Sequence, residues 1–282
     1  MESLLNNPVV QSSLLPLLVS LIVSGIVGFS LPKGKMLAAM AVPISALITI
    51  IAISGFSFPP KASSQKLPYL IIAAGLVGVL FDYFEIRGRF YKLACLVLPL
   101  PMIVWVFGTR FNSIDLSGVF FLTAVWFVAA YALWQGDHRR AQIDTGLKVL
   151  FFSGGLGVIL LLGSSGMLAQ TAFGLMAAVG GFLLWNWPKF RFSIGASMLF
   201  PIVTILGAMA AQGLFFTKAS GTAMAFLVPL LLIDRIVPHI PFLKRATTPL
   251  MRPLSLAVVA LVCLTIPVGS ALLLTETSSY GY

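Results

Sequence analysis

Charge is scarce in this chain. Only 9% of its 282 residues are Asp, Glu, Lys or Arg, against 59% hydrophobic, where a soluble globular domain carries roughly a quarter charged residues. That excludes a soluble domain of any size. Acid is scarcer still, with eight residues in all: Glu2, Asp82, Glu85, Asp115, Asp137, Asp144, Asp234 and Glu276. Two cysteines, Cys95 and Cys263, fall inside apolar runs. They read as small packing residues and leave the redox compartment open. There is no clear internal repeat, low-complexity stretch or linker, so residues 1–282 are expected to form a single transmembrane domain. Met1 to Asn7 carries no Lys or Arg, and no small-residue cleavage site follows. The first apolar run therefore reads as an uncleaved span rather than a removed signal peptide.

What the chain does have is apolar runs of about twenty residues, the length that crosses a bilayer core at 1.5 Å per residue. Ten are expected: Leu14 to Leu31, Met36 to Gly55, Leu67 to Leu80, Tyr91 to Gly108, Ser117 to Trp134, Gly146 to Gly163, Met167 to Trp185, Phe192 to Phe215, Ser220 to Ile233 and Leu254 to Leu274. The fold class is accordingly all-α, a polytopic membrane helix bundle of about ten transmembrane helices. The loops between the spans sort the cations. Lys33, Lys35, Arg87, Arg89, Lys92, Arg139, Arg140, Lys148, Lys189, Arg191, Arg235, Lys244, Arg245 and Arg252 fall on one side, and Lys61, Lys66, Arg110 and Lys218 on the other. The positive-inside rule makes the first side cytoplasmic and puts both termini outside. The expected location is the bacterial inner membrane, multi-pass. A net charge of +10 spread singly over short loops is what topology demands. It points to an anionic lipid surface first and a polyanionic substrate second, and not to nucleic acid.

Prolines 43, 99, 101, 201, 229 and 267 lie inside expected spans, and each removes a backbone donor. Pro99 and Pro101 together make the fourth span the best kink candidate. Gly154, Gly155 and Gly157, with Gly180 and Gly181, mark close helix packing. They are no phosphate loop, because no strand precedes them. Trp105, Trp126, Trp134, Trp185 and Trp187 read mostly as interface anchors. The acids all sit near span ends, so an ion-coupled transporter lacks the midplane group it usually needs. Gln170, Asn186 and Gln212 remain as residues that could line a polar path.

At the ends of the spans the order of motifs resembles a known family. GVLFDYFEIRGRFYKL (Gly78 to Leu93), GFLLWNWP (Gly181 to Pro188), GASMLF (Gly195 to Phe200) and VPLLLIDRI (Val228 to Ile236) follow one another. They are similar to successive segments of the polyprenyl-phosphate N-acetylhexosamine-1-phosphate transferases, which include the phospho-MurNAc-pentapeptide translocase. The resemblance covers roughly residues 68–275 and implies ten spans with the working face in the cytoplasm. It implies phosphoryl transfer from a UDP-sugar to a polyprenyl phosphate, with magnesium held by acidic side chains.

The chain departs from that pattern at the acids. Phe81 and Asp82 stand where the family pairs aspartates. In Tyr131 to Ala141, matching Asp137 leaves Tyr131 and Trp134 in place of amides, with Arg140 near the second acid. Ser193 and Ile194 replace a Gly-Asp, and the last loop keeps His239 alone. A magnesium site from Asp82 and Asp137 would be short of oxygens. The resemblance therefore implies a catalytically inactive relative with no cofactor, or magnesium if active. Asp82 and Asp137 are its vestigial catalytic and metal candidates, and Arg87, Arg89, Arg139, Arg140, Asn186 and His239 its phosphate-binding candidates. The expected role is a subunit in cell-envelope glycan synthesis that binds membrane lipid, polyprenyl phosphate, or a membrane-protein partner. The alternatives are an active divergent transferase, a small transporter or flippase, or a purely structural scaffold. For each acid a plainer role stands beside these, pairing at the interface with Arg87, Arg139 or Arg235.

Overall fold

A computed structural model describes residues 8–86, 88–108, 116–135, 142–237, 240 and 251–279. Arg87, Asp137, Arg139, Arg140 and His239 lie outside the described residues. Among those described, the chain is helical and has no strand. The main helices are α1 (Val10–Ser30), α2 (Gly34–Ser54), α3 (Leu67–Tyr83), α4 (Arg89–Phe107), α5 (Leu116–Gln135), α6 (Gln142–Leu162), α7 (Gly166–Asn186), α8 (Ala196–Phe216), α9 (Gly221–Leu232) and α10 (Met251–Ser279). Among the described residues, eight helical stretches are long and apolar enough to cross a membrane, and a 21-residue helix such as α7 extends about 32 Å, enough to cross a bilayer core. By length and composition these are the helices of a multi-pass membrane protein.

Two expected spans are broken, and proline accounts for both. In α4 the helix is interrupted at Leu98, between Arg89–Val97 and Pro99–Phe107, because Pro99 and Pro101 bring no N–H to the ladder. The ninth expected span is not one long helix. It consists of an α-turn (Gly221–Ala225), then a 3-10 stretch (Val228–Leu232) with Pro229 in its first turn, then Ile233–Ile236. Its apolar stretch, Gly221–Leu232, is shorter than the roughly 20 residues that cross a bilayer core as one helix. Pro201 and Pro267, by contrast, are carried inside α8 and α10.

Small residues let the helices approach. A Cβ at Gly181 of α7 would collide with the Leu17 carbonyl oxygen of α1, and one at Gly28 would land on the Phe192 ring. Pro16, Ser20, Ser24 and Gly28 line the buried stripe of α1 at spacings of four, one above the other on a helix face. Gly154, Gly155 and Gly157 likewise face Met176, Leu227 with Leu264, and Phe173. Trp126 and Trp185 turn inward, donating to the Leu96 and Leu21 carbonyls at 3.3 and 2.8 Å. Only Trp105 and Trp187 are exposed among the tryptophans whose side chains are described. An indole ring carries enough apolar area to favour burial once its N–H finds an acceptor.

The contacts sort the loops into two ends. At one, Lys33 Nζ donates to the Tyr83 carbonyl at 3.1 Å, and Ser193 N to the Lys35 carbonyl at 2.9 Å. At the other, Lys66 Nζ donates to the Trp105 carbonyl at 2.9 Å, Gln212 Nε2 to Ser63 at 3.4 Å, and Lys218 N to Gly163 at 3.1 Å. The first end carries most of the cations and is called the basic end below.

Helices α3 and α6 stop in the same way. Ile86 N reaches the Phe81 carbonyl at 2.9 Å and Glu85 N the Asp82 carbonyl at 3.1 Å, with Glu85 left-handed at φ 54°. Ser165 N to Leu160, Ser164 N to Leu161 and Ser164 at φ 65° repeat the motif. This is the six-to-one and five-to-two closure that usually takes glycine. Ser164→Gly is therefore expected to raise stability by about 0.5–1 kcal/mol, read as a shift in the detergent unfolding midpoint. An unchanged or lower midpoint would show that Ser164 is not strained.

Candidate functional site

The basic end is built around Asp82. Helix α8 begins after Gly195, which has extended backbone and no side chain with which to cap its own helix. Asp82, in the last turn of α3, supplies the cap from outside. Its Oδ1 accepts from Ala196 N at 3.0 Å and its Oδ2 from Ser197 N at 2.8 Å, and the residue is only 3% exposed. Two of the orphan N–H groups of α8 are thus satisfied, and a carboxylate sits where the helix dipole favours negative charge. The approach needs two glycines. A Cβ at Gly195 would fall on the Asp82 carboxylate, and one at Gly78 would lie 2.5 Å from the Ala196 carbonyl oxygen.

Phe81, beside it, points elsewhere. Its ring meets Tyr91 and Phe200 edge to face at centroid distances of 5.7 and 6.0 Å, in a small buried cluster that Ile86 closes. Ile194 is also core. Phe81 and Ile194 both pack in helix contacts.

Asn186 ends α7 and organises the loop that leads to α8. Its Oδ1 accepts from Arg191 N at 3.0 Å and Phe192 N at 2.8 Å, which folds the loop back on the helix end. The side chain is fully buried, and its Nδ2, like Ser197 Oγ, has no partner among the described residues. The fold gives Asn186 a loop-closing role. Phe192 follows into the gap over Gly28 and packs with Phe29 and Trp185 at 5.4 and 5.9 Å. Arg191 stacks over the Trp185 ring at 5.8 Å. Asn186 and Gln212 lie at opposite ends of the bundle, so the two amides do not line one path.

A second buried cluster was not foreseen. Asp144 and Lys148, each 2% exposed, lie one turn apart in α6, and Arg252 of α10 reaches Asp144 Oδ2 through Nη2 at 2.6 Å and Nε at 3.1 Å. The spacing of four between an acid and a base was legible as a helical pair, but its burial depends on Arg252, 108 residues away. Gly146, between them, packs against Leu183 and Ile194. Through Ile194 and Gly195 this cluster and Asp82 belong to one end of the bundle.

The structure thus brings Asp82, Asn186, Ile194 and exposed Arg89 to the basic end. Magnesium fits poorly there. Both Asp82 oxygens already accept backbone N–H groups, and among the described residues no three His, Cys, Asp or Glu side chains stand together. Hard oxygen ligands in number are what that ion requires. Comparison with protein-family models and with curated proteins finds no match.

Proposed function

We propose that this chain is a multi-pass subunit of the bacterial inner membrane that binds a polyprenyl-phosphate carrier, or a partner protein, in cell-envelope glycan synthesis without transferring a sugar phosphate itself. The positive-inside rule supports a cytoplasmic basic end, with ten spans and both termini outside. The observation that carries the reading is the engagement of Asp82. Asp82, which stands where the resemblance expects paired aspartates, spends both oxygens on the amides of α8 and lies buried. Phosphoryl transfer between two anions relies on metal ions and positioned charge. A carboxylate locked to a helix terminus offers neither a free metal ligand nor a mobile base. An apolar groove for a long isoprenoid would survive such a loss, because its binding is hydrophobic and independent of the acids. Exposed Arg89, with Arg87, Arg139 and Arg140 outside the described residues, supplies the type of side chain suited to a carrier phosphate.

The purified protein, given a UDP-N-acetylhexosamine, polyprenyl phosphate and magnesium, is expected to release no UMP above the protein-free control. Sustained magnesium-dependent UMP release would establish the rival, an active divergent transferase.

A further inference from the structure

The turn 31–35 and the loop 187–193 meet at the basic end and carry exposed cations with little acid nearby. Lys33 is taken by Glu85 at 3.3 Å. Lys35 and Lys189 are exposed and have no ion pair among the described residues. Arg191, also exposed, rests on the Trp185 ring. The two segments are fastened together, since Ser193 donates to the Lys35 carbonyl through both N and Oγ, at 2.9 and 3.2 Å. Lys35 is therefore held to the loop that carries Lys189 and Arg191.

Directly along the helix from these cations runs an apolar ridge. Leu14, Leu18, Ile22, Ile26 and Phe29 of α1 are exposed at helical spacing, and the ridge they form is roughly 22 Å long. A soluble anion would use the cations alone. A membrane lipid matches both features, its phosphate at the cations and its chain on the ridge.

We infer that the junction of turn 31–35 with loop 187–193 is a headgroup seat for an anionic phospholipid, whose chain lies along the exposed ridge of α1. Charge complementarity selects the headgroup, because basic residues near the surface attract anionic lipid. Trp187 and Phe190, exposed on the same loop, belong at headgroup depth. The seat shares no residue with the arginines assigned to the carrier phosphate, so it stands or falls separately from that reading.

The test uses the full chain reconstituted in phosphatidylcholine vesicles, with brominated-chain phosphatidylglycerol or brominated-chain phosphatidylcholine as quencher of tryptophan fluorescence. Trp185 and Trp187 flank the seat and report its occupancy. Phosphatidylglycerol is expected to be preferred about fivefold or more, the size of one well-placed cation. Lys35→Gln/Lys189→Gln/Arg191→Gln should bring the preference below about twofold on the same scale, while Lys61→Gln/Lys218→Gln at the opposite end leaves it intact. Should the triple variant misfold, wild-type protein serves on its own, because raising the salt should weaken the preference by screening. No preference in the wild type, a salt-independent preference, or one retained in a folded triple variant overturns the seat. So does loss of the preference to inorganic phosphate at an ionic strength where sodium chloride leaves it intact, which would mark a site for the free ion.

Discussion

Asp82→Ala is expected to destabilise the folded protein by about 2–4 kcal/mol, because two buried N–H groups of α8 lose their acceptors at once. Asp82→Asn keeps the shape and one acceptor oxygen, but turns an amide N–H₂ toward one of the two donors and removes the charge that the helix dipole favours. It should fall between wild type and Asp82→Ala. Asp82→Glu gives no rescue, since the longer side chain cannot fit against Gly195, where even a Cβ would overlap the present carboxylate. Equilibrium unfolding in mixed detergent, followed by circular dichroism, measures all three without added metal. A metal-ligating role predicts little change in that experiment. If Asp82→Ala unfolds within about 0.5 kcal/mol of wild type, the range of an unremarkable surface change, the carboxylate is not the cap described above.

Gly78→Ala and Gly75→Ala lie less than one turn apart in α3 and should act with opposite signs. A Cβ at position 78 meets the Ala196 carbonyl oxygen at 2.5 Å and the Ser197 Cα at 3.0 Å. Both are backbone atoms, so no rotamer change can relieve the overlap. Helices α3 and α8 must separate, and a loss of about 1–3 kcal/mol is expected. Separation also lengthens the Asp82 hydrogen bonds, so this variant and Asp82→Ala should be less than additive. Around Gly75 nothing lies within 4 Å. There Ala simply replaces the poorest helix former short of proline, for a gain of about 0.5–1 kcal/mol. Equal gains from both variants would show that helix propensity alone acts at the two positions and that the close contact at Gly78 is not real.

The long apolar helices were legible because twenty apolar residues in a row carry their own reason for being helical in lipid. The break at Leu98 was legible for a similar reason, since Pro99 and Pro101 act on their own turn. Pro229 shows the limit. It carries the same local signal as Pro201, yet Pro201 is absorbed inside α8 whereas Pro229 opens a 3-10 stretch, and neighbouring helices decide between the two. Asp82 shows it more sharply. In sequence it is an acid beside Phe81 at the end of a span, which fits a metal ligand, an interfacial charge or a cap equally well. Its actual partners lie 114 and 115 residues later, and no local pattern announces them. The sequence offers Asn186 as a phosphate-binding candidate or as part of a polar path, but its acceptor turns back on its own loop. Phe81 and Ile194 stand where the resemblance expects acids. They are core residues whose neighbours arrive from other helices.

The distance between Asp82 and its amides also sets an order of events during synthesis. Ala196 follows Asp82 by 114 residues, which at 5–20 residues per second is roughly 6–23 s of translation. Throughout that interval the carboxylate exists without the helix terminus that later encloses it. Its place in the final turn of α3 lets it wait in the headgroup region instead of the hydrocarbon. Enclosure then comes only when α8 has been inserted. A nascent chain stalled before residue 196 would still display Asp82 to water, whereas a completed one hides it.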